Sequence, residues 1–185
     1  MKHVPIRRML AVDIRARRIG YAAFEVPARL LGWGIRKNVW RHDHAIANLL
    51  GLFRPSVVVI RRVSTSSRRD TPRARKIARI IRNDARRHAI PVVSLGDRAL
   101  KNFFRAYGKK SKYDIAVLVT LCFPELKWKL PPRRKIWMPE HERMSIFDAA
   151  QLGILFLVRQ AGGDDIRNLL SSAEPFHRSP GGAAK

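Results

Sequence analysis

The stretch SVVVIRRV, Ser56–Val63, constrains the fold most. Consecutive apolar, β-branched residues without alternation describe a strand covered on both faces, as a central parallel strand is. The chain must therefore supply helices to two sides of one sheet. Three apolar runs precede it: Met9–Ile14, Ile19–Val26 and Leu30–Lys37, separated by the turn RARR and by Pro27. Short turns between β-rich runs make a hairpin, extended here to an antiparallel meander. Asp43 reads as the N-cap of a helix through HAIANLLGLF that stops before Pro55 and leads into the central strand.

Beyond that strand, Thr71 is placed as an N-cap and Pro72 at the first helical position, opening a helix that ends near His88. Its apolar stripe is Ile77, Ala78, Ile81 and Ala85, and cations occupy most of the remaining circumference. PVVSL is a fifth strand, GDRALKNFFRAYG a short helix and Ser111–Cys122 another. Pro124–Arg143 is Pro-rich, basic and aromatic and reads as a long loop, and SIFDAAQLGILFLV reads as a buried helix because it is apolar nearly all round. Periodicity is lost from Gly162, and SPGGAAK reads as a disordered end. The fold class is α/β, a mixed five-stranded sheet with helices on both faces. It spans residues 5–160, with 161–185 as a tail.

Thirty-eight Lys and Arg against 14 Asp and Glu give a net charge of +24. A surface so cationic repels itself unless a polyanion neutralises it, so the expected partner is nucleic acid, DNA before RNA. A membrane surface is set aside because the cations run through the whole chain instead of along one amphipathic helix. Cys122 is the single cysteine, which excludes an internal disulfide and a cysteine-based zinc site and fits a reducing cytoplasm. His42 and His44, two apart, do not share a helix face, and no zinc site is expected. No run has the length of a membrane span or the core of a signal peptide, so the expectation is a soluble, cytoplasmic protein, nucleoid association included.

In order, LAVDIRARRIGYAAF, SLGDRALKNFFRAYGKKSKYDIAVLVTLCFPEL and FDAAQLGI resemble the RuvC-like branch of the RNase H-like nucleases, across Met9–Val158. The matching positions are Asp13 and Gly20 on the first hairpin, Lys101, Gly108 and Lys112, and Asp148 ahead of Ala149 and Ala150. The resemblance implies an RNase H-like sheet and metal-assisted phosphodiester hydrolysis, with carboxylates holding two Mg²⁺ or Mn²⁺ ions. It therefore makes Asp13 and Asp148 the candidate metal ligands and catalytic acids.

This chain departs from the pattern where the fourth strand should carry a glutamate: Arg61 and Arg62 stand there instead. The glycine expected two residues after Asp13 is Arg15, and Ser145 stands one turn before Asp148, where a second acid or a histidine is usual. Glu142, six residues before Asp148, is the candidate substitute acid, reaching the site from a loop. We expect Arg61 or Arg62 to project between the two aspartates and pair them, a guanidinium taking the place of a metal. Two plainer readings stand beside this one. Asp13 can accept backbone hydrogen bonds from its hairpin, and Ser145 with Asp148 fits a capping box.

The candidate phosphate contacts are Arg15, then Arg68, Arg69 and Arg73 around the start of the Pro72 helix, then Lys101, Lys109, Lys110, Lys112, Arg133 and Arg134. GKKSK is no nucleotide loop, since the leading glycine would fall at Phe103. Trp128 and Trp137 lie among cations, which suits base stacking; anchoring of the loop to the core is the alternative. The functional expectation is a nucleic-acid-binding protein with a lost or weakened nuclease site. The alternatives are an active Mg²⁺- or Mn²⁺-dependent endonuclease, and a basic scaffold within a nucleoprotein complex. A homodimer is compatible with each.

Overall fold

A computed structural model describes residues 6–39, 44–64, 70–109, 111–135, 137–160 and 164–172. The strands are β1 (Arg8–Ile14), β2 (Arg18–Glu25), β3 (Arg29–Lys37), β4 (Val57–Arg61) and β5 (Val92–Leu95), and they form one sheet in the order β3-β2-β1-β4-β5. β1–β2 and β2–β3 pair antiparallel, β1–β4 and β4–β5 parallel. The expected mixed sheet is thus present, with Val57–Ile60 buried inside it between β1 and β5.

Side-chain alternation divides the core into two layers. Leu10, Val12, Ile14, Val58 and Ile60 face α1 (His44–Phe53) and α2 (Pro72–Arg87). Met9, Ala11, Val57 and Val59 face the other side, where α5 (Met144–Gln160) lies across the strands beneath α3 (Asp97–Ala106) and α4 (Lys112–Cys122). α5 is buried along most of its length, as its uniform hydrophobicity requires. Thr71 caps α2, its hydroxyl accepting from the Ala74 N–H at 3.2 Å, and Pro72 opens the helix. The start of α4 carries a capping box between Ser111 and Asp114.

Two segments depart from expectation. Pro124–Lys129, read as loop, is a short 3-10 helix whose Leu126 is fully buried. α6 (Asp164–Ser172) forms within the segment expected to be an aperiodic tail, and its Ile166 and Leu170 enter the core. Two apolar residues four apart suffice to pin nine residues to α4 and α5 but are too few to stand out as a period. Asp43, His42, Arg68, Arg69, Lys110 and the end of the chain from 173 lie outside the described residues.

Candidate functional site

The site forms where the C-terminal ends of β1 and β4 meet α4 and α5. Asp13 and Arg15 are two apart along an extended segment and so project to one face. The β1–β4 register pairs Ala11 with Val59, and continuing it sets Arg61 beside Asp13. Parity therefore selects Arg61 over Arg62, which is exposed. Asp13 pairs with Gly20 across the hairpin, and a Cβ at Gly20 would lie 1.9 Å from the Ser145 carbonyl oxygen. Glycine is what lets α5 begin directly against β2 and bring Asp148 to Asp13.

Asp13 and Asp148 are only 1% and 5% exposed. The guanidinium between them belongs to Arg15: its Nε donates to Asp13 Oδ2 at 2.7 Å and its Nη2 to Asp148 Oδ2. Lys112 Nζ donates to the same Asp148 oxygen at 3.0 Å, and Gln151 Nε2 donates to Asp148 Oδ1 at 2.7 Å. Arg61 sits beside the pair instead of bridging it. Its Nε is 3.6 Å from Asp13 Oδ1, while its Nη2 donates to the Ile14 carbonyl and, at 2.7 Å, to the buried Asp70. The expected guanidinium bridge exists, then, but comes from β1's own end. Arg15 needs only a two-residue step to follow Asp13, whereas Arg61 is drawn off by Asp70. A third acid closes the cluster: Glu140 Oε1 accepts from Lys112 at 2.7 Å and Oε2 lies 3.6 Å from Arg15.

Burial raises the Asp13 pKa, the charge on Asp148 adds to that, and Arg15 and Arg61 only partly oppose it, leaving it at about 6. Burial works against the charge on Arg15, but Asp13 and Asp148 outweigh it and push its pKa up. Glu140 is partly desolvated, yet the hydrogen bond and charge of Lys112, with Arg15 and Arg134, hold its pKa below the usual range.

No family model and no curated protein matches the chain. Among solved structures, Thermus thermophilus RuvC in complex with Holliday junction substrate superposes with a TM-score of 0.63 at 16% identity, over 85% of this chain and 97% of that one. The chain has the RuvC-like RNase H fold. The yeast mitochondrial Holliday junction resolvase Ydc2 gives 0.57 at 14% identity, over 91% and 86%. The fowlpox virus resolvase gives 0.51 at 14%, over 82% and 99%.

On this RuvC-like frame, the donor set does not fit a divalent cation. The described residues hold no group of three or more His, Cys, Asp or Glu side chains arranged around a common point for a metal. The oxygens of Asp13 and Asp148 face Arg15, Arg61, Lys112 and Gln151, so a Mg²⁺ or Mn²⁺ ion would have to enter against the charges of three cations. Glu142, the candidate substitute, is exposed and pairs with Lys37 at 2.8 Å, away from the aspartates. The loop acid that reaches the cluster is Glu140, which sequence reasoning missed because a Pro-rich segment has no period to assign a facing. The capping-box reading of Ser145 and Asp148 also fails. Ser145 is already inside α5 and its hydroxyl accepts from Arg18 Nε at 3.1 Å, while Asp148 turns to Arg15 and Lys112. Asp13 meets arginines where hairpin N–H groups were the plainer expectation.

Beside the cluster opens a cavity of about 790 Å³ whose wall includes Arg15, Lys112, Arg133, Arg134, Tyr113 and Glu140. A second recess, about 140 Å³, shares Arg15 and Lys112 and adds Lys101 and Arg61. Lys109 stands two residues before the Ser111 cap of α4, where the Ser111 hydrogen bond holds Asp114 low in pKa and the charges of Arg133 and Lys109 add to it. Arg73 is elsewhere, exposed at the start of α2. Just ahead of that helix the buried Asp70 accepts from the Ser64 N–H at 2.8 Å and from Arg61 at 2.7 Å. Trp128 and Trp137 are 66% and 76% exposed, so neither anchors the loop. Leu126 and Pro131, both buried, do that instead. Cys122 is buried and its thiol pKa is pushed up to about 11, as suits an inert packing residue.

Proposed function

We propose that this chain binds DNA through its phosphate backbone, with a metal-dependent nuclease centre that is lost or weakened. The observation that carries the reading is the Arg15 guanidinium between Asp13 and Asp148, with Lys112 and Arg61 beside it. It turns a pair of acids that could collect divalent cations into a neutralised ion-pair cluster. The adjoining cavity supports the binding half: Arg133 and Arg134 line it with no acid among the described residues paired to them, beside the Arg15 and Lys112 that Asp13, Asp148 and Glu140 already pair. A polyanion is the ligand that such a wall favours. The structures that share the fold are resolvases, one of them solved on a Holliday junction, so a four-way junction is the first substrate to try. A homodimer, and a place within a nucleoprotein complex, both belong to this reading and are separated by sizing the protein free and bound.

The test is a set of binding and cleavage assays on labelled four-way junction, duplex and single-stranded DNA, with Mg²⁺ or Mn²⁺, for the wild type and Asp13→Asn. The expected result is binding whose log K falls with log salt by about 0.9 per phosphate contacted, without metal-dependent cleavage. Cleavage that is lost in Asp13→Asn would instead make the chain an active endonuclease, with Arg15 swinging aside. Binding indifferent to salt would overturn the phosphate reading altogether.

A further inference from the structure

A second cationic surface lies on the other side of the sheet from the cavity. α2 buries Ala74, Ile77, Ala78, Ile81 and Ala85 in the layer shared with α1. The opposite stripe, at i, i+4, i+7 and i+11, is Arg75, Arg79, Arg82 and Arg86. The last three are exposed, and Arg75 is held by the Asp70 carbonyl at 2.7 Å. Among the described residues no ion pair reaches these four. The helix's own acid, Asp84, is buried and paired with Arg87 at 3.2 Å, and Arg82 reaches only the neutral Ser94 hydroxyl at 3.4 Å. Like charges three and four apart destabilise a helix, and here nothing internal offsets them. The stripe runs about 16 Å at the α-helical rise, roughly five base-pair steps of a duplex.

The cavity belongs to the α3, α4 and α5 side, whereas this stripe caps the α1 and α2 side, so the sheet stands between them. A second copy of the chain does not fit against α2, because two arginine stripes repel. Resting on the nucleic-acid reading of the cavity, we propose that the outer face of α2 is a second phosphate-backbone surface. One molecule then holds two DNA segments at once, one at the Arg15 cavity and one along Arg79, Arg82 and Arg86.

The test is the triple variant Arg79→Gln, Arg82→Gln, Arg86→Gln, compared with the wild type and with the corresponding triple Arg→Lys variant. Two readouts are taken: the salt slope at saturating duplex, and capture of a labelled duplex by protein already bound to an immobilised one. In the Gln variant the slope becomes shallower by about 2 to 3, one phosphate per lost charge, and capture is lost while single-duplex binding persists. The Lys variant keeps both, and the urea midpoint of the Gln variant is no lower than that of the wild type. Unchanged slope and capture in the Gln variant would overturn the proposal while leaving the cavity reading intact. A wild type that binds no DNA would overturn both.

Discussion

Replacing Arg15 by methionine removes the guanidinium from between Asp13 and Asp148 and keeps most of the apolar stem. Both carboxylates are nearly inaccessible, so water cannot take over the lost charge. Removing one partner of a buried pair costs about 3 to 5 kcal/mol. Lys112 still reaches Asp148 at 3.0 Å and Arg61 lies 3.6 Å from Asp13, so the low end applies, about 3 kcal/mol. For a domain of this size that is a Tm loss of about 6 to 12 °C. The loss depends on pH with a definite sign. Arg15 opposes the burial that raises Asp13 from 3.8 to about 6, so without it the folded-state pKa rises further. The variant's deficit is therefore largest above that value and shrinks as Asp13 takes up its proton toward pH 4. Urea unfolding at pH 4.5 and 7.5 measures both quantities. Adding Asp13→Asn should recover about 1 to 2 kcal/mol of the loss at pH 7.5, since the buried charge is removed with its partner. A deficit under 1 kcal/mol, or one equal at the two pH values, would refute the claim that Arg15 neutralises buried acids.

The Asp13 carboxyl itself should titrate near 6 in a ¹³C side-chain NMR experiment. Its folded pKa is raised, so its contribution to stability is fully present below 3.8 and lost as pH rises through about 6; a midpoint at or below 3.8 would contradict the burial argument. Glu140→Gln removes the acid from the cavity wall, leaving Arg15 and Lys112 paired with the buried Asp13 and Asp148 and the wall more positive toward an incoming phosphate. Affinity for duplex DNA should rise about threefold to tenfold in low salt, fading as salt is added, and an unchanged affinity would mean that phosphates do not enter there. Gly20→Ala drives a methyl group into the Ser145 backbone and should cost about 3 kcal/mol in unfolding free energy, against a few tenths if α5 could simply slide. Trp137→Ala should weaken single-strand binding by about 1 kcal/mol or more while sparing duplex, with Trp137→Phe near wild type. Equal losses on both substrates would assign the residue to something other than base stacking.

Local pattern was enough for the sheet and most helices because each strand's neighbours follow from apolar period and short turns. The continuous SVVVI run had to sit inside, and the three preceding runs had to pair in sequence. The partition of β1 into two faces was legible as well, since period two puts Asp13 and Arg15 on one side. The uncovered cations of α2 could be read directly from the spacing of Arg75, Arg79, Arg82 and Arg86.

What closes around Asp13 was not legible, because it depends on residues brought in from separate elements along the chain, Arg61, Asp70, Lys112, Glu140 and Asp148 among them. Which of three arginines bridges the aspartates is decided by Asp70, which draws Arg61 aside, and by Gly20, which lets α5 come close enough for Arg15 to span the gap. Glu140 was invisible for the same reason, as was α6, which owes its place to Ile166 and Leu170 finding the core. Strand and helix periods are properties of neighbours along the chain. Charge pairing at a buried site is a property of neighbours in space, where desolvation makes each missing partner costly, and only the tertiary arrangement determines which partners are within reach.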